Sequence, residues 1–191
     1  AHFRKRLKPN CARIQRLGAV SYRRHLGPDD ASAALEEFMV LEEHSWKATS
    51  GTRLSQQERG CFRALVSDRG RRVYPDILFL EVDGRPVSAI LSLTCKRCYY
   101  LFVTFFDERL RDLQPGRPTI REALRYAFAR DDIDEISFVG SYSSATSWSQ
   151  QVREYQKVRI YRPGLRAQLA QTVDRWESRA EKKDRGRVQH D

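Results

Sequence analysis

Apolar side chains recur at helical spacing in residues 29–47. On a helix with 3.6 residues per turn, one face of this segment would carry Leu35, Phe38, Met39, Glu42 and Trp46. Asp29 or Asp30 is expected to cap the start, because a carboxylate accepts hydrogen bonds from the unpaired amides of a first turn. The pattern predicts a first helix.

Residues 55–70 predict a second helix with a signal at each end. Ser55 and Glu58 have the spacing of a capping box, in which two side chains and two backbone amides bond reciprocally. Gly70 is expected to end the helix, because glycine readily adopts the left-handed conformation found at helix C-termini. The expected buried positions are Phe62, Leu65 and Val66.

The period then changes to two residues, which is typical of strands. Residues 76–82 and 85–94 flank Asp83-Gly84, a dipeptide that favours a tight hairpin turn. One face of the second strand is expected to hold Val87, Ala89, Leu91 and Leu93. Residues 98–106 are apolar on both faces, as in a central strand that is covered on each side.

Helical and strand patterns alternate after the central strand. Residues 117–132 predict a helix with Pro118 at its first position, where a missing amide hydrogen costs nothing. Its expected stripe is Ile120, Leu124 and Phe128. Residues 134–140 predict a short strand, residues 143–153 a short helix and residues 155–164 a late strand. A final amphipathic helix is marked by Leu165, Leu169, Val173 and Trp176.

The order of these elements predicts an α/β fold with a mixed, mostly antiparallel twisted sheet and helices on both faces. With 191 residues, the chain can bury a substantial core in one domain. We expect a basic segment with an edge strand in residues 1–28, the main domain in residues 29–165, and an amphipathic helix with a basic tail in residues 166–191.

The formal charge of +10 favours anionic partners. Residues 1–28 contain no acidic residue, and their cations are Arg4, Lys5, Arg6, Lys8, Arg13, Arg16, Arg23 and Arg24. This surface is open to two interpretations, a solvated face and a site for nucleic acid or another polyanion.

Cys11, Cys61, Cys95 and Cys98 lack the density of a disulfide framework, which favours a reducing, cytoplasmic compartment. The pair in "CKRC" lies where two strands meet and has no second pair to complete a zinc site, so we predict a hairpin turn and no metal. No secretory signal and no apolar run of about 20 residues occurs in the sequence. Without an initiating Met, the chain is expected to be part of a longer protein.

Residues 104–120, "TFFDERLRDLQPGRPTI", join the central strand to a helix start. A helix N-terminus presents unpaired amides and a positive dipole end, and Arg117 adds a fixed charge there. The stretch therefore predicts an anion site, with an ordinary turn as the alternative.

Four stretches in this order resemble the GNAT acyltransferase superfamily, and specifically the CelD-like acetyltransferases of cellulose and exopolysaccharide biosynthesis, which are related to FemAB-type enzymes. The stretches are residues 42–52, 79–93 and 105–120, with Gly140 and Trp148 as the fourth. The resemblance implies that acetyl-CoA is the co-substrate and that its pyrophosphate is held by Gln114, Pro115, Gly116, Arg117 and Thr119. Relatives typically have Ser-Pro-Gly where this chain has Gln-Pro-Gly, and Pro118 removes one amide donor.

The resemblance also implies direct attack of an amine on a thioester, which needs a base and an acid. Asp107, followed by Glu108 at the end of the central strand, is the predicted base, and Tyr142 is the predicted acid. Capping of a turn is the alternative role for Asp107, and plain packing the alternative for Tyr142. The histidines do not form a convincing nucleophilic triad, so hydrolase chemistry is not indicated.

The resemblance also implies that the acceptor side is lined by Trp46, Lys47, Thr52 and Trp148, with core packing as the alternative role for Trp46. Relatives commonly carry a Tyr-Lys pair where this chain has Ser144-Ala145, which shifts the role to Tyr142 or marks a change of substrate or a loss of catalysis. We predict an N-acetyltransferase for an amine such as an amino sugar or exopolysaccharide precursor. The alternatives are a catalytically lapsed polyanion-binding module and a FemAB-type transferase that uses aminoacyl-tRNA.

Overall fold

Five strands form one sheet in the computed structural model, which describes residues 2–45, 47, 53–68, 73–139 and 148, with side chains from Pro9 onward. The strands are β1 (Val20–Leu26), β2 (Tyr74–Val82), β3 (Arg85–Cys95), β4 (Cys98–Phe106) and β5 (Glu135–Phe138). They lie side by side in chain order. The first four are antiparallel, and β5 runs parallel to β4.

Helices cover both faces of this sheet. The described helices are α1 (His2–Gln15), α2 (Gly27–Glu43), α3 (Gln56–Val66) and α4 (Gly116–Phe128), with a 3-10 helix at Glu108–Leu113. On one face, α2 and α3 enclose a core that includes Phe38, Phe79 and Phe105. On the other, α4 packs on Leu78 and Tyr99. The predicted mixed, mostly antiparallel sheet with helices on both faces is confirmed.

The first predicted helix, α2, begins earlier than its acidic residues suggested. It starts at Gly27, so that Asp29 and Asp30 lie in its first turn. Asp30 Oδ2 nevertheless accepts a 2.9 Å hydrogen bond from the Leu26 amide, which is the kind of partner a helix start requires. The predicted stripe is buried at Leu35, Phe38, Met39 and Glu42. Trp46 lies outside the described residues.

The second predicted helix, α3, has the capping box that its sequence indicated. The Glu58 amide donates to Ser55 Oγ at 3.2 Å, and Glu58 Oε2 accepts from the Ser55 amide at 2.7 Å. Val66 is fully buried, while Phe62 and Leu65 are partly buried against the same core. The helix ends at Val66, with Ser67 as its cap, and Gly70 lies outside the described residues.

Both predicted hairpins are present, but one face assignment was wrong. Asp83 and Gly84 have positive φ angles of 50° and 73°, as the β2–β3 turn requires. Leu80 pairs with Ser88 and Glu81 with Pro86, so Val87 is an extra residue in β3. This bulge turns Val87 toward Leu80, away from the face that buries Ala89, Leu91 and Leu93.

Helix α4 also differs from its prediction in two positions. Pro118 is the third helical residue and not the first. Phe128 is 79% exposed, and the buried positions are Pro118, Thr119, Ala123 and Ala127. Small side chains at Ala123 and Ala127 let the helix lie close to the sheet, which rotates Phe128 into solvent.

Helix α1 was not predicted, because its sequence is dominated by basic residues and carries Pro9 within the helix. The first compact unit is Ala1–Gln150, and β1 lies at one edge of its described sheet. The boundaries after residues 28 and 165 stay predictions. The elements predicted in residues 143–153 and 155–164, and the final helix, fall in a part of the chain that the structure does not describe, apart from Trp148.

Candidate functional site

The central strand β4 is paired with β5 along only its first half. Parallel pairing runs from Cys98 with Glu135 to Leu101 with Phe138. One further contact is the 3.5 Å hydrogen bond from the Val139 amide to Leu101 O. Beyond it, no strand of the described ranges pairs with residues 102–106 on this edge. Among the described residues, the second half of β4 is therefore unpaired on the side away from β3, and this side is called its open edge below.

Hydrogen bonding to β3 determines which backbone groups face this open edge. The Asp107 amide donates to Val87 O at 3.0 Å, so this pair is a hydrogen-bonded one. Bonded and non-bonded pairs alternate along antiparallel strands. The N–H and C=O groups of Phe106, paired with Ser88, and of Thr104, paired with Ile90, consequently point away from β3. A bulge at Phe102 separates this half of the strand from the half that pairs with β5.

The start of α4 lies against the open half of β4. A β-carbon built on Gly116 would be 3.4 Å from Thr104 Cγ2 and 3.7 Å from Phe106 Cδ1. Glycine at this position thus keeps the helix start close to the strand without filling the space between them. The helix N-terminus therefore lies beside the side chains of Thr104 and Phe106 in the second half of β4.

This helix start has few amide donors to offer. The Arg117 amide donates to Gln114 O at 3.0 Å, and Pro118 has no amide hydrogen. Thr119 is fully buried, its amide and its hydroxyl both bonding Pro115 O. The anion site stays a prediction, and at this helix start it would centre on the Gly116 amide, with the Arg117 guanidinium as the added charge.

Helix α1 holds the loop before α4 in place. Asn10 Nδ2 donates to Gln114 Oε1 at 3.2 Å, and Arg13 Nη1 donates to Asp112 O at 3.3 Å. Gln114 has a φ of 50°, a left-handed conformation that turns the chain into the helix. Of the predicted residues, the structure brings together Gln114, Pro115, Gly116 and Arg117, while the Thr119 side chain is committed to the helix backbone.

Asp107, the predicted base, caps the 3-10 helix. Its Oδ1 accepts a 3.0 Å hydrogen bond from the Arg109 amide, and both carboxylate oxygens accept bonds from the Arg109 guanidinium. These hydrogen bonds hold the pKa of Asp107 below its ordinary value. A carboxylate that is saturated and held ionised is a weak proton acceptor, so the geometry matches the capping alternative.

The carboxylate of the next residue, Glu108, accepts fewer hydrogen bonds than that of Asp107. Its amide donates to His44 O at 3.0 Å, which ties the end of β4 to the end of α2. Oε1 accepts a 3.2 Å hydrogen bond from Arg111 Nη1. Oε2 is buried and has no hydrogen-bond partner among the described residues. A buried carboxylate oxygen without a donor can accept a proton or a hydrogen bond from a docked group.

The end of α2 forms the other side of this region. Lys47 Nζ lies 5.2 Å from the centroid of the Phe105 ring, whose side chain is buried in the core beneath β4. Glu42 is fully buried and accepts hydrogen bonds from the Leu54 amide at 3.0 Å and from Arg59 Nη2 at 2.8 Å. These two hydrogen bonds to Glu42 connect α3 and the residues before it to α2. Trp46 and Thr52 lie outside the described residues.

Trp148 lies beside the end of β5. Its ring is nearly parallel to that of Phe138, with an interplanar angle of 22° and centroids 6.5 Å apart. The tryptophan is thus placed next to the strand that borders the open edge of β4. Tyr142, the predicted acid, and the Ser144-Ala145 pair lie outside the described residues.

In the described ranges, no three metal-ligating side chains form a cluster. The helices there include none with the length and hydrophobicity needed to cross a membrane.

A family model for the acetyltransferase (GNAT) domain matches residues 1–157. No curated protein sequence matches the chain significantly.

Two solved structures share the fold at low sequence identity. One is the aminoglycoside acetyltransferase meta-AAC0020 from an uncultured soil metagenomic sample, in complex with sisomicin. It is 13% identical with a TM-score of 0.51 over 79% of this chain and 99% of that chain. The other is a ribosomal-protein-alanine N-acetyltransferase from Brucella melitensis biovar Abortus 2308. It is 15% identical with a TM-score of 0.50, over 74% and 98% of the two chains.

Proposed function

The chain belongs to the GNAT family of acetyltransferases, and on that premise we propose that it transfers the acetyl group of acetyl-CoA directly to an amine. The proposal depends on one observation, the half-open strand β4 with the start of α4 beside it. No covalent enzyme intermediate is needed, because the amine and the thioester can meet in one ternary complex.

The open edge of β4 suits the pantetheine arm of acetyl-CoA. This arm contains amide groups, and an extended amide chain can pair with an unpaired strand edge as an added strand does. The outward-facing backbone groups of Thr104 and Phe106 are its proposed partners. Pairing here would aim the thioester along β4.

The pyrophosphate is proposed to lie at the start of α4. The Gly116 amide and the helix dipole favour an anion there, and Arg117 supplies a charge. Gly116 permits close approach because it has no side chain. Gln114 and Pro115 shape the turn, and we place Thr119 behind the site as a structural residue and not as a ligand.

The reaction forms a C–N bond between the amine and the acetyl carbon and breaks the C–S bond of the thioester. The amine proton passes to a base, and the leaving thiolate takes up a proton. We propose a carboxylate at the end of β4 as the base. Asp107 was the predicted group, and the open Oε2 of Glu108 makes Glu108 the better placed of the two. Tyr142 remains the proposed acid.

The proposed acceptor is an amine-bearing sugar. The resemblance to the CelD-like subfamily supports an exopolysaccharide precursor, and an aminoglycoside, the acceptor class of one structural neighbour, is another amino sugar. Glu43 is ion-paired with Arg59 and Glu108 Oε1 with Arg111, so Glu108 Oε2, which no described residue satisfies, is the proposed contact for a cationic amine. Lys47, Trp46, Thr52 and Trp148 are proposed to contact the sugar.

Calorimetric titration with acetyl-CoA, followed by an assay of free thiol release with glucosamine and an aminoglycoside, tests the proposal. We expect saturable binding of acetyl-CoA that changes little with salt, and thiol release only when an amine is present. Failure to bind either acetyl-CoA or CoA would refute the site. Binding of acetyl-CoA without thiol release for either amine would support the acetyl-CoA site but refute the proposed acceptor class.

A further inference from the structure

A cavity of about 600 Å³ lies at the opposite end of α4 from Gly116. It is bordered by the start of β2, the β3–β4 turn and the end of α4. The lining residues that matter below are Tyr74, Thr94, Lys96, Tyr126, Arg130 and Asp132. At 1.5 Å per helical residue, Tyr126 is about 15 Å along the helix from Gly116. The cavity is therefore separate from the proposed acetyl-CoA site.

Buried polar atoms without partners lie in and behind its wall. Thr94, which lines the cavity, has a buried hydroxyl oxygen with no hydrogen-bond partner in the described ranges, and the same is true of Asp76 Oδ1. These residues are close, because Asp76 pairs with Ser92 and Tyr74 with Thr94 across β2 and β3. Buried polar groups are normally hydrogen-bonded, so a cluster of exceptions beside a cavity indicates a polar occupant.

The β3–β4 turn places two residues in a backbone conformation that is unfavourable for their residue types. Lys96 and Arg97 have φ angles of 49° and 61°, a left-handed conformation that favours Asn, Asp and Gly. The β2–β3 hairpin meets the same demand with Asp83-Gly84.

Arg97 has a structural reason to be in this turn. Its carbonyl accepts the Asp134 amide at 2.8 Å and its guanidinium binds the Asp134 carboxylate, which fastens the turn to the chain before β5. Lys96 makes no ion pair with a described residue and lines the cavity instead. Its unfavourable conformation is explained if its charge serves a ligand.

The charges at the cavity leave one cation in excess. Arg130 binds Asp132 through Nε at 2.8 Å and Nη2 at 2.5 Å, so these two charges offset each other. Lys96 adds a positive charge. Behind Tyr126, the Arg24 guanidinium lies 3.8 Å from the ring centroid and is paired with Asp76. The site therefore suits a single negative charge.

We propose that this cavity binds a small aromatic monoanion, such as a hydroxylated aromatic carboxylate. Lys96 holds the carboxylate, the exposed Tyr74 contacts the ring, and the hydroxyl group of the ligand faces the wall that contains Thr94. Because the site is distant from the start of α4, its occupation does not depend on the proposed transfer reaction.

The test is an NMR titration of the protein with para-hydroxybenzoate, using the neutral isostere para-hydroxybenzamide as the matched ligand. We expect shifts confined to the amides around Thr94, Lys96 and Tyr126, with the acid binding at least about tenfold more tightly than the amide. The proposal would be overturned if the acid and the amide bound equally, or if shifts occurred only elsewhere in the protein. It would also be overturned if no shift occurred at about 10 mM acid, which is far above the Kd range of specific small-molecule sites.

Two substitutions separate the charge of Lys96 from the fold of the turn. Lys96→Asn removes the charge and supplies a residue that accepts positive φ, so it is expected to fold at least as stably as the wild type. Lys96→Arg retains the charge. We expect Lys96→Asn to weaken acid binding about tenfold and Lys96→Arg to change it by less than about threefold. Acetyl-CoA affinity should be unchanged in both, which distinguishes failure here from failure of the proposed function.

Discussion

Gly116 faces Thr104 across the gap between the start of α4 and the open half of β4. A β-carbon at residue 116 would come within 3.4 Å of Thr104 Cγ2, and any larger side chain must extend further into this space. The closeness of these two residues joins a helix N-terminus to a strand edge that no described residue pairs with, and this junction is where we place acetyl-CoA.

The first prediction concerns this junction. Gly116→Val should weaken acetyl-CoA binding about tenfold or more, because its branched side chain fills the space that the pyrophosphate needs. Gly60→Val is the matched control, since a β-carbon at Gly60 in α3 meets no atom within 4 Å. Calorimetry should show wild-type affinity for Gly60→Val. Unchanged affinity in Gly116→Val would contradict the proposed pyrophosphate site.

The second prediction concerns the proposed base. Glu108→Gln should lower kcat about a hundredfold, in the range of general base catalysis, with little change in acetyl-CoA affinity. Asp107→Asn should lower kcat less, because the Arg109 hydrogen bonds already occupy the Asp107 carboxylate. The measurement is steady-state thiol release at saturating substrate. The reverse order of the two variants would restore Asp107 as the base.

A third prediction concerns the proposed acid. Tyr142→Phe should lower kcat about a hundredfold, since a phenylalanine cannot protonate the leaving thiolate. Acetyl-CoA should bind with the same affinity, because the substitution removes only one hydroxyl group. The pH dependence of kcat gives the decisive readout: the variant should lose the decline at high pH that marks ionisation of an acid. A wild-type pH profile would show that Tyr142 has no such role.

The fourth prediction concerns stability at the Asp107 cap. Asp107→Ala removes a cap and an exposed ion pair and should cost about 1 kcal/mol of unfolding free energy at pH 7. Arg109 lowers the folded-state pKa of Asp107, so the ionised carboxylate stabilises the fold above its ordinary pKa. This contribution is lost as the pH falls through the lowered value. In urea unfolding, the gap between wild type and variant should therefore narrow below about pH 4.

The fifth prediction concerns the buried pair Tyr99 and Asp76. The Tyr99 hydroxyl donates a 2.6 Å hydrogen bond to Asp76 Oδ2, and Arg24 is the other described partner of this carboxylate. Burial raises the pKa of Asp76, so its charge is costly. Tyr99→Phe should destabilise the protein by about 1–3 kcal/mol.

Because the folded-state pKa of Asp76 is raised, its contribution to stability is fully present below its ordinary pKa and is lost as the pH rises through the raised value. The loss caused by Tyr99→Phe should therefore be larger at pH 7 than at pH 3. Thermal unfolding at both pH values provides the measurement. An equal loss at the two pH values would mean that the ionised carboxylate does not depend on Tyr99.

Local signals in the sequence were sufficient to predict most elements. These signals act over a few neighbouring residues, so they can be interpreted without knowledge of the fold. They are the Ser55–Glu58 capping box, the Asp83-Gly84 turn and the alternating apolar residues of β2 and β3. The helix after the central strand was found for the same reason. Helix α1 was missed because it lacks such signals and contains Pro9.

The site was only partly predictable. The stretch around Gly116 was recognised as a helix start beside the end of a strand, and both features are local. The sequence could not reveal that Thr119 is committed to Pro115 O or that Arg109 saturates Asp107. Which atoms a side chain reaches depends on the path of the backbone through a turn, and the residue types alone are compatible with several paths.

By itself, the sequence determined the order of helices and strands, the tight turns and the mixed α/β class, because hydrophobic period and backbone preference are properties of short segments. Tertiary structure decided the bulges at Val87 and Phe102, the exposure of Phe128 and the cavity beside Lys96. These features arise where residues far apart in the chain compete for the same space, and only the packed sheet and helices settle that competition.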